Sequence, residues 1–226
     1  PNFFMFQPKS GEEGCEIVRS ILMDPETPEL GVIIIDSVAA LTPTADQEKE
    51  FETATMGTQA RLMSRFLGTV NPFVKRKKPV FLLLNQMRKK IGVMYGSPNT
   101  TSGGEALKFY TSIRAEITKG KLIQEGDLVL GHESKIKIVK NKMSPPNRTC
   151  EFRIMYGTGV DKLAEVVAWG ITTGLITKSG AWFSYKGENI GHGVEKTLEF
   201  FRDNPEEYEA LKTGVFSANH ILKGDE

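Results

Sequence analysis

Two short apolar runs, Val32 to Ile35 and Val80 to Leu84, contain no polar alternation. A strand of this kind reads as covered on both faces, which a layered α/β sheet provides and a half-solvated antiparallel sheet does not. Each run ends abruptly in polar residues, Asp36 and Ser37 after the first, Asn85 and Gln86 after the second. Such side chains pack poorly at a strand tip, but the tips of an open α/β sheet line the crevice where ligands bind. Helical patterns separate the runs. Ser10 offers an N-cap for a helix over about Glu12 to Met23, with Ile17, Ile21 and Leu22 on one face, ended by Pro25 and Pro28. Phe3 to Phe6 reads as a short strand before it, which makes Phe3 to Ile35 a βαβ unit. The polar stretch Thr44 to Thr55 has no apolar period; Met56 then opens a helix carrying Met63, Phe66, Leu67 and Val70 to a basic turn at Lys75 to Lys78.

Beyond Gln86 the chain runs through Arg88, Lys89 and Lys90 into Gly92, Gly96, Pro98, Gly103 and Gly104, with Ile91, Val93, Met94 and Tyr95 between them. A loop this long inside a compact domain is usually functional or disordered. Cations interleaved with glycines and an aromatic suit a segment that meets a phosphate backbone and stacks against bases. The plain alternative is a solvated surface loop. Charge has to act locally here, because the net charge over 226 residues is only +1. Past Tyr110 the pattern changes to alternation, at Ile113, Ala115 and Ile117, at Ile136 and Ile138, and at Phe152, Ile154 and Tyr156. This predicts an antiparallel extension of the sheet. From Val160 come a helix with Leu163, Val166, Val167 and Trp169, a glycine-rich hairpin around Trp182 to Tyr185, and a helix over about Val194 to Phe201. The division falls near residue 158, giving a core over 1–157 and a small domain over 158–226.

Asp36 closes a run of β-branched residues at the sheet rim, where a carboxylate can hold the water shell of a Mg²⁺ bridging nucleotide phosphates. Many strands end in Asp for capping or turn formation, so the pattern alone leaves both readings open. Cys15 and Cys150 lack metal-ligand spacing and read as reduced thiols; His132, His192 and His220 are scattered singly. No apolar run reaches membrane-spanning length and no signal peptide is present, so the chain reads as soluble and cytoplasmic, with no membrane partner.

FLLLNQMRKKIGVMYGSPNTTSGGEALKFY, from Phe81 to Tyr110, resembles the second DNA-binding loop of the bacterial RecA recombinase family. GVIIIDSVAALTP, from Gly31 to Pro43, resembles that family's Walker B strand. Met56 to Ser64, Lys140 to Lys142 and GAWFSYKG, from Gly180 to Gly187, follow in the family's order, so the similarity runs from about Gly11 to about Glu207. The resemblance implies an α/β fold: part of a RecA-like P-loop ATPase core, a mixed parallel and antiparallel sheet flanked by helices, with a small α+β C-terminal domain. It implies ATP and Mg²⁺ as cofactors, single- and double-stranded DNA as partners, a helical homo-filament, and a role in recombination, DNA repair and the SOS response in a bacterial cell or a phage-infected host.

By resemblance Asp36 binds the metal, and Asp36 with Ser37 holds the nucleotide. Gln86 touches the γ-phosphate and reports nucleotide state to DNA. Lys140 and Lys142 reach the nucleotide of a neighbouring subunit, Tyr156 packs near the adenine, and Lys108 and Phe109 lie in the subunit interface. DNA contacts fall to Met56, Gly57, Arg88, Lys89, Lys90, Ile91, Tyr95, Gly103 and Gly104. Lys178 and Lys186, with Trp182 and Tyr185, match the duplex-capturing surface. Glu48 to Met56, the first DNA loop, departs from the family by carrying Lys49 and Phe51 where smaller residues are usual, and the family's acidic tail is reduced to Asp225 and Glu226.

No GxxxxGK[ST] occurs in these residues, so the backbone nest and lysine that cradle the β- and γ-phosphates are not among them. The expectation is therefore the C-terminal two thirds of a recombinase, either a fragment or a split or shortened version, and inactive as an ATPase alone. Two rivals stand beside it: a non-catalytic DNA-binding or filament-modulating protein, and a RecA-fold ring helicase, which the Gly92 to Tyr110 and Gly180 to Gly187 segments disfavour.

Overall fold

A computed structural model describes residues 3–27, 30–48, 57–89 and 99–218. The chain divides into two compact units, Pro1–Ser112 and Ile113–Glu226.

In the first unit α1 spans Gly11–Met23 and starts as the sequence predicts, with the Ser10 hydroxyl accepting the Glu13 N–H and Glu12 and Glu13 at the positive end of the helix dipole. Its buried positions are Gly11, Gly14, Cys15 and Leu22, so of the expected Ile17, Ile21 and Leu22 face only Leu22 is fully buried, and the packed face is rotated toward the two glycines. The rotation follows from close approach: a Cβ on Gly11 would stand 2.6 Å from Leu62 and 3.0 Å from the Leu41 backbone. Burial of Cys15 here pushes its thiol up to about 12.

Strand β1 (Val32–Ile35) leads through a 3₁₀ turn at Val38–Ala40 and a short helix α2 (Thr44–Gln47) to α3 (Thr58–Lys77), then to β2 (Val80–Leu83). The two strands pair in parallel with Val32 opposite Val80 and Ile35 opposite Leu83. The βαβ unit is thus built around α3. Phe3 to Phe6 forms no strand and is 55–83% exposed, because an apolar tetrapeptide becomes a strand only where a sheet edge accepts its backbone groups.

Coverage of the parallel pair is one-sided. Ile33, Ile35, Phe81 and Leu83 pack on the cluster of Leu22, Val38, Met63, Phe66, Leu67 and Val70, with the Phe66 and Phe81 rings edge-on at 6.2 Å. Val32, Ile34, Val80 and Leu82 alternate to the other side and are 43–64% exposed. The expectation of two covered faces is corrected accordingly: continuous apolarity gives a strand the capacity for burial on both sides, and the described residues fill one. Ile35→Ala should therefore cost about 2–5 kcal/mol in urea unfolding, and Ile34→Ala well under half of that.

The cations Lys75, Arg76 and Lys77 form the last turn of α3, and Lys78 closes it in a left-handed conformation. Lys77 Nζ donates to the carbonyls of Ile21 (3.4 Å) and Asp24 (2.5 Å), capping α1. After β2 come β3 (Met87–Lys89) and β4 (Asn99–Thr101), paired antiparallel, and α4 (Ala106–Tyr110).

In the second unit β5 (Ile113–Glu125), β6 (Leu128–Asn141), β7 (Thr149–Met155) and β8 (Gly159–Val160) form an antiparallel sheet in that order. The alternating segments do form antiparallel strands, but in β5 the apolar Ile113, Ala115 and Ile117 are exposed while Arg114 and Glu116 between them are half-buried. Then follow α5 (Lys162–Thr172), whose N-cap Asp161 accepts from the Ala164 N–H, and β9 (Ile176–Ser179), β10 (Trp182–Tyr185) and β11 (Glu188–His192), with β10 central. Helices α6 (Val194–Asp203) and α7 (Pro205–Ala218) complete it. Val167, Ile176, Phe183, Tyr185, Leu198, Phe201 and Leu211 make its core. Helix α7 is absent from the sequence reading, although Pro205 at the helix start followed by Glu206 and Glu207 is a start signal. Among the described residues no helix is long and apolar enough to cross a membrane.

Candidate functional site

The parallel register carries both polar strand tips to one end of the β1–β2 pair. Leu84 N–H donates to the Ile35 carbonyl (3.0 Å) and Val38 N–H to the Leu84 carbonyl (2.8 Å), so pairing continues past the strands and holds Asp36 and Ser37 beside Asn85 and Gln86. Asp36 and Gln86 are exposed; the Asp36–Ser37 peptide bond is cis. Asn85 is structural: its Nδ2 donates to the Ser102 carbonyl (2.8 Å) and its Oδ1 accepts the Gln86 N–H (2.8 Å). One exposed carboxylate, a neighbouring hydroxyl and a carboxamide form a donor set that suits a largely hydrated Mg²⁺ shared with phosphate oxygens. It does not suit a protein-caged metal, and no cluster of three or more His, Cys, Asp or Glu side chains occurs among the described residues.

The same end bears the roots of both expected DNA loops. Gly57, at φ 85°, is the N-cap of α3, and Thr58 Oγ1 donates to Asp46 Oδ2 (2.5 Å). Arg88 is exposed on β3 opposite Thr100, and Lys89 stands opposite Asn99. Gly103 and Gly104 take φ of 83° and 72°. Both glycines are required twice over, by sign of φ and by space: a Cβ on Gly103 would meet Leu107 at 2.9 Å and Val38 at 3.0 Å, and one on Gly104 would meet Ala60 at 2.6 Å. Thr42, Asp46, Thr58, Arg88 and Gly103 border an open cleft of 470 Å³ between these roots. Met56, Lys90, Ile91 and Tyr95 lie outside the described residues.

In the second unit Lys140 sits near the end of β6 opposite Arg114, and Lys142 follows just after the strand. Asn141 stops the strand, its Oδ1 accepting the N–H groups of Met143 and Ser144. Partial desolvation, then Lys142 and Arg114, hold the Lys140 ammonium below the usual lysine range. Tyr156 belongs to the other end of the sheet. It is 52% exposed, its ring lies 5.8 Å from His132, and its hydroxyl accepts from Lys119 Nζ (3.4 Å). With Thr158, Lys162 and Arg202 it lines a shallow cleft of 590 Å³.

Lys108 pairs with Glu105 at 2.5 Å, while Phe109 is 72% exposed. In the three-stranded sheet Trp182 is half-exposed and edge-on to His192, while Phe183 and Tyr185 alternate into the core. Lys178 lies over the Phe183 ring, and Lys186, at φ 52°, lies over Tyr185 and pairs with Glu207 at 2.6 Å. Three polar neighbours of these sites escaped the sequence reading: Gln59, Arg114 and Arg202. Arg114 had a signal, a cation between the apolar positions of a strand that precedes the Lys140 strand; for Gln59 and Arg202 periodicity supplies none.

Family models of the RecA N-terminal domain and the RecA C-terminal domain match residues 1–161 and 164–219. The chain belongs to the RecA family. It is 44% identical over 212 residues to Protein RecA of Desulforapulum autotrophicum, covering 94% of this chain and 60% of that protein. It is 46% identical to Protein RecA 1 of Myxococcus xanthus, over 91% of this chain and 59% of that one, and 43% identical to Protein RecA of Brucella suis, over 94% and 58%. The chain thus spans about 60% of the length of the curated RecA proteins it matches. The RecA relationship bears out the α/β RecA-type fold that the motifs implied. The two family models meet between residues 161 and 164, whereas the compact units meet at 112 and 113.

Proposed function

We propose that this chain is the DNA-handling and metal-binding portion of a RecA-type strand-exchange recombinase of the bacterial cytoplasm. One observation carries the reading: Asp36 and Gln86 share a sheet end with Gly57, Arg88 and Gly103, the roots of the two loops. Bound ATP with Mg²⁺ would supply the phosphate charge that makes this end responsive to nucleotide state. Asp36 would hold water of the metal shell, with Ser37 beside it, and Gln86 would hydrogen-bond a terminal phosphate. Since Gln86 leads directly into β3, a bond gained or lost there selects between loop arrangements.

The loops would present single-stranded DNA through phosphate contacts from Arg88, Lys89 and Lys90 and base stacking by Tyr95, with sequence read by base pairing rather than by side chains. Lys178, Lys186 and Trp182 would receive the incoming duplex, on a C-terminal domain whose functional start near residue 158 is supported by the separate C-terminal family match. Lys140 and Lys142 would act on the nucleotide of the next subunit in a helical filament. Strand rise puts Lys140 on the order of 25 Å along β6 from His132, which neighbours Tyr156. That separation favours two different nucleotides for the lysines and the tyrosine. Lys108 and Phe109 would lie in the subunit contact.

The purified 226-residue chain tests this portion of the reading. It is expected to bind oligo(dT) weakly, losing affinity with salt, and to release no phosphate from ATP above background with or without DNA, since Asp36 and Gln86 do not replace the converging N–H groups and lysine of a phosphate nest. DNA-stimulated hydrolysis would place a phosphate-cradling site within these residues and overturn the assignment. Absence of oligo(dT) binding would remove the DNA-loop reading.

A further inference from the structure

Gln59 is the second residue of α3, just past the root of the first loop. Its Nε2 faces three backbone carbonyls, those of Val38 at 2.9 Å, Leu41 at 3.3 Å and Ala39 at 3.4 Å. A carboxamide has only two N–H donors, so three acceptors compete for two protons. The turn these carbonyls belong to follows Asp36 and Ser37 directly, and the Val38 N–H ties it to Leu84, two residues before Gln86. The second loop closes on the same spot. Gly103 packs against Val38, and Gly104 packs against Ala60, the residue after Gln59.

We propose that Gln59 is a positioning residue that couples the roots of both DNA loops to the turn behind Asp36. This rests on the DNA-loop reading above. A small displacement of the first turn of α3 re-divides the two protons, pairing Val38 with Ala39 or Val38 with Leu41. Because that turn's own bonds are short-range, from Ala40 N–H to Ser37, Leu41 N–H to Val38 and Thr42 N–H to Ala40, a change of partner at one carbonyl moves the whole turn. A packing role alone would ask only for bulk at position 59. The geometry uses the donors.

Backbone amide exchange in the 226-residue chain, with and without oligo(dT), separates these. Saturating oligo(dT) is expected to change exchange at Ala40, Leu41 and Thr42 by about fivefold or more in the unsubstituted chain, and by under about twofold in Q59L. Q59L should bind oligo(dT) with affinity within about threefold of the unsubstituted chain, since no phosphate contact is removed. An undiminished response in Q59L overturns the coupling role, as does an unsubstituted chain that binds oligo(dT) without any change at these amides. A chain that binds no oligo(dT) overturns the loop reading and the coupling together, so the two failures are told apart. Should Q59L fail to fold, Q59E keeps the length, removes the donors and is read by the same criteria.

Discussion

Replacing Arg88, Lys89 and Lys90 together by alanine should lower the steepness of the salt dependence of single-stranded DNA binding by about two units on a log–log plot. Each single-strand phosphate contact contributes about 0.7 to that slope through counterion release, so three contacts give about 2.1. Between 50 and 200 mM salt the unsubstituted chain should then lose roughly twentyfold more affinity than the triple variant. The net charge of +1 makes the test sharp, because little long-range field remains to mask a local contact. Titrations of a fluorescent oligo(dT) at four or five salt concentrations measure it. An unchanged slope would show that the phosphate contacts lie elsewhere, with Lys178 and Lys186 the next candidates. Both are partly engaged, over Phe183 and with Glu207 respectively, so each should contribute less than a cation that reaches DNA without leaving a partner.

The second large effect concerns Lys140 and Lys142 in the complete protein. If they stabilise charge on a neighbour's transferring phosphoryl group, Lys140→Ala or Lys142→Ala should reduce DNA-stimulated ATP turnover by about 10²-fold or more, with nucleotide binding by the monomer nearly unchanged. Desolvation, then the charges of Lys142 and Arg114, already disfavour Lys140 as a cation, and thermal melting of each variant separates loss of folding from loss of turnover. The depressed Lys140 value also sets a direction with pH: its contribution should fade on the alkaline side earlier than that of an ordinary lysine. Mixed filaments decide between cis and trans. Subunits lacking the lysines but retaining Asp36 should recover turnover when mixed with subunits retaining the lysines and lacking Asp36, and absence of recovery would remove the trans assignment.

These two predictions rest on different kinds of legibility. Arg88 to Lys90 stood out because cations interleaved with glycine after an apolar strand make a local pattern, and the family resemblance then assigned it. The strand tips at Asp36 and Gln86 were found for the same reason. The Lys140 environment was only half visible. Its alternating strand could be read from the sequence, but the facing Arg114 is set by a register 26 positions apart in the chain.

The sequence by itself determined what depends on near neighbours and on chemical type: the Ser10 cap of α1, the apolar positions of α3, the two apolar strands and their polar ends, the alternating strands past Tyr110, and the RecA relationship. Tertiary structure decided what depends on distant partners. Phe3 to Phe6 lacks a sheet edge and is no strand. The parallel pair is covered on one side only, Lys77 caps α1, and Gln59 reaches three carbonyls about twenty residues upstream. A cap or a periodic stripe is fixed by interactions over three or four residues, whereas a hydrogen bond between distant segments exists only after the fold has brought donor and acceptor together.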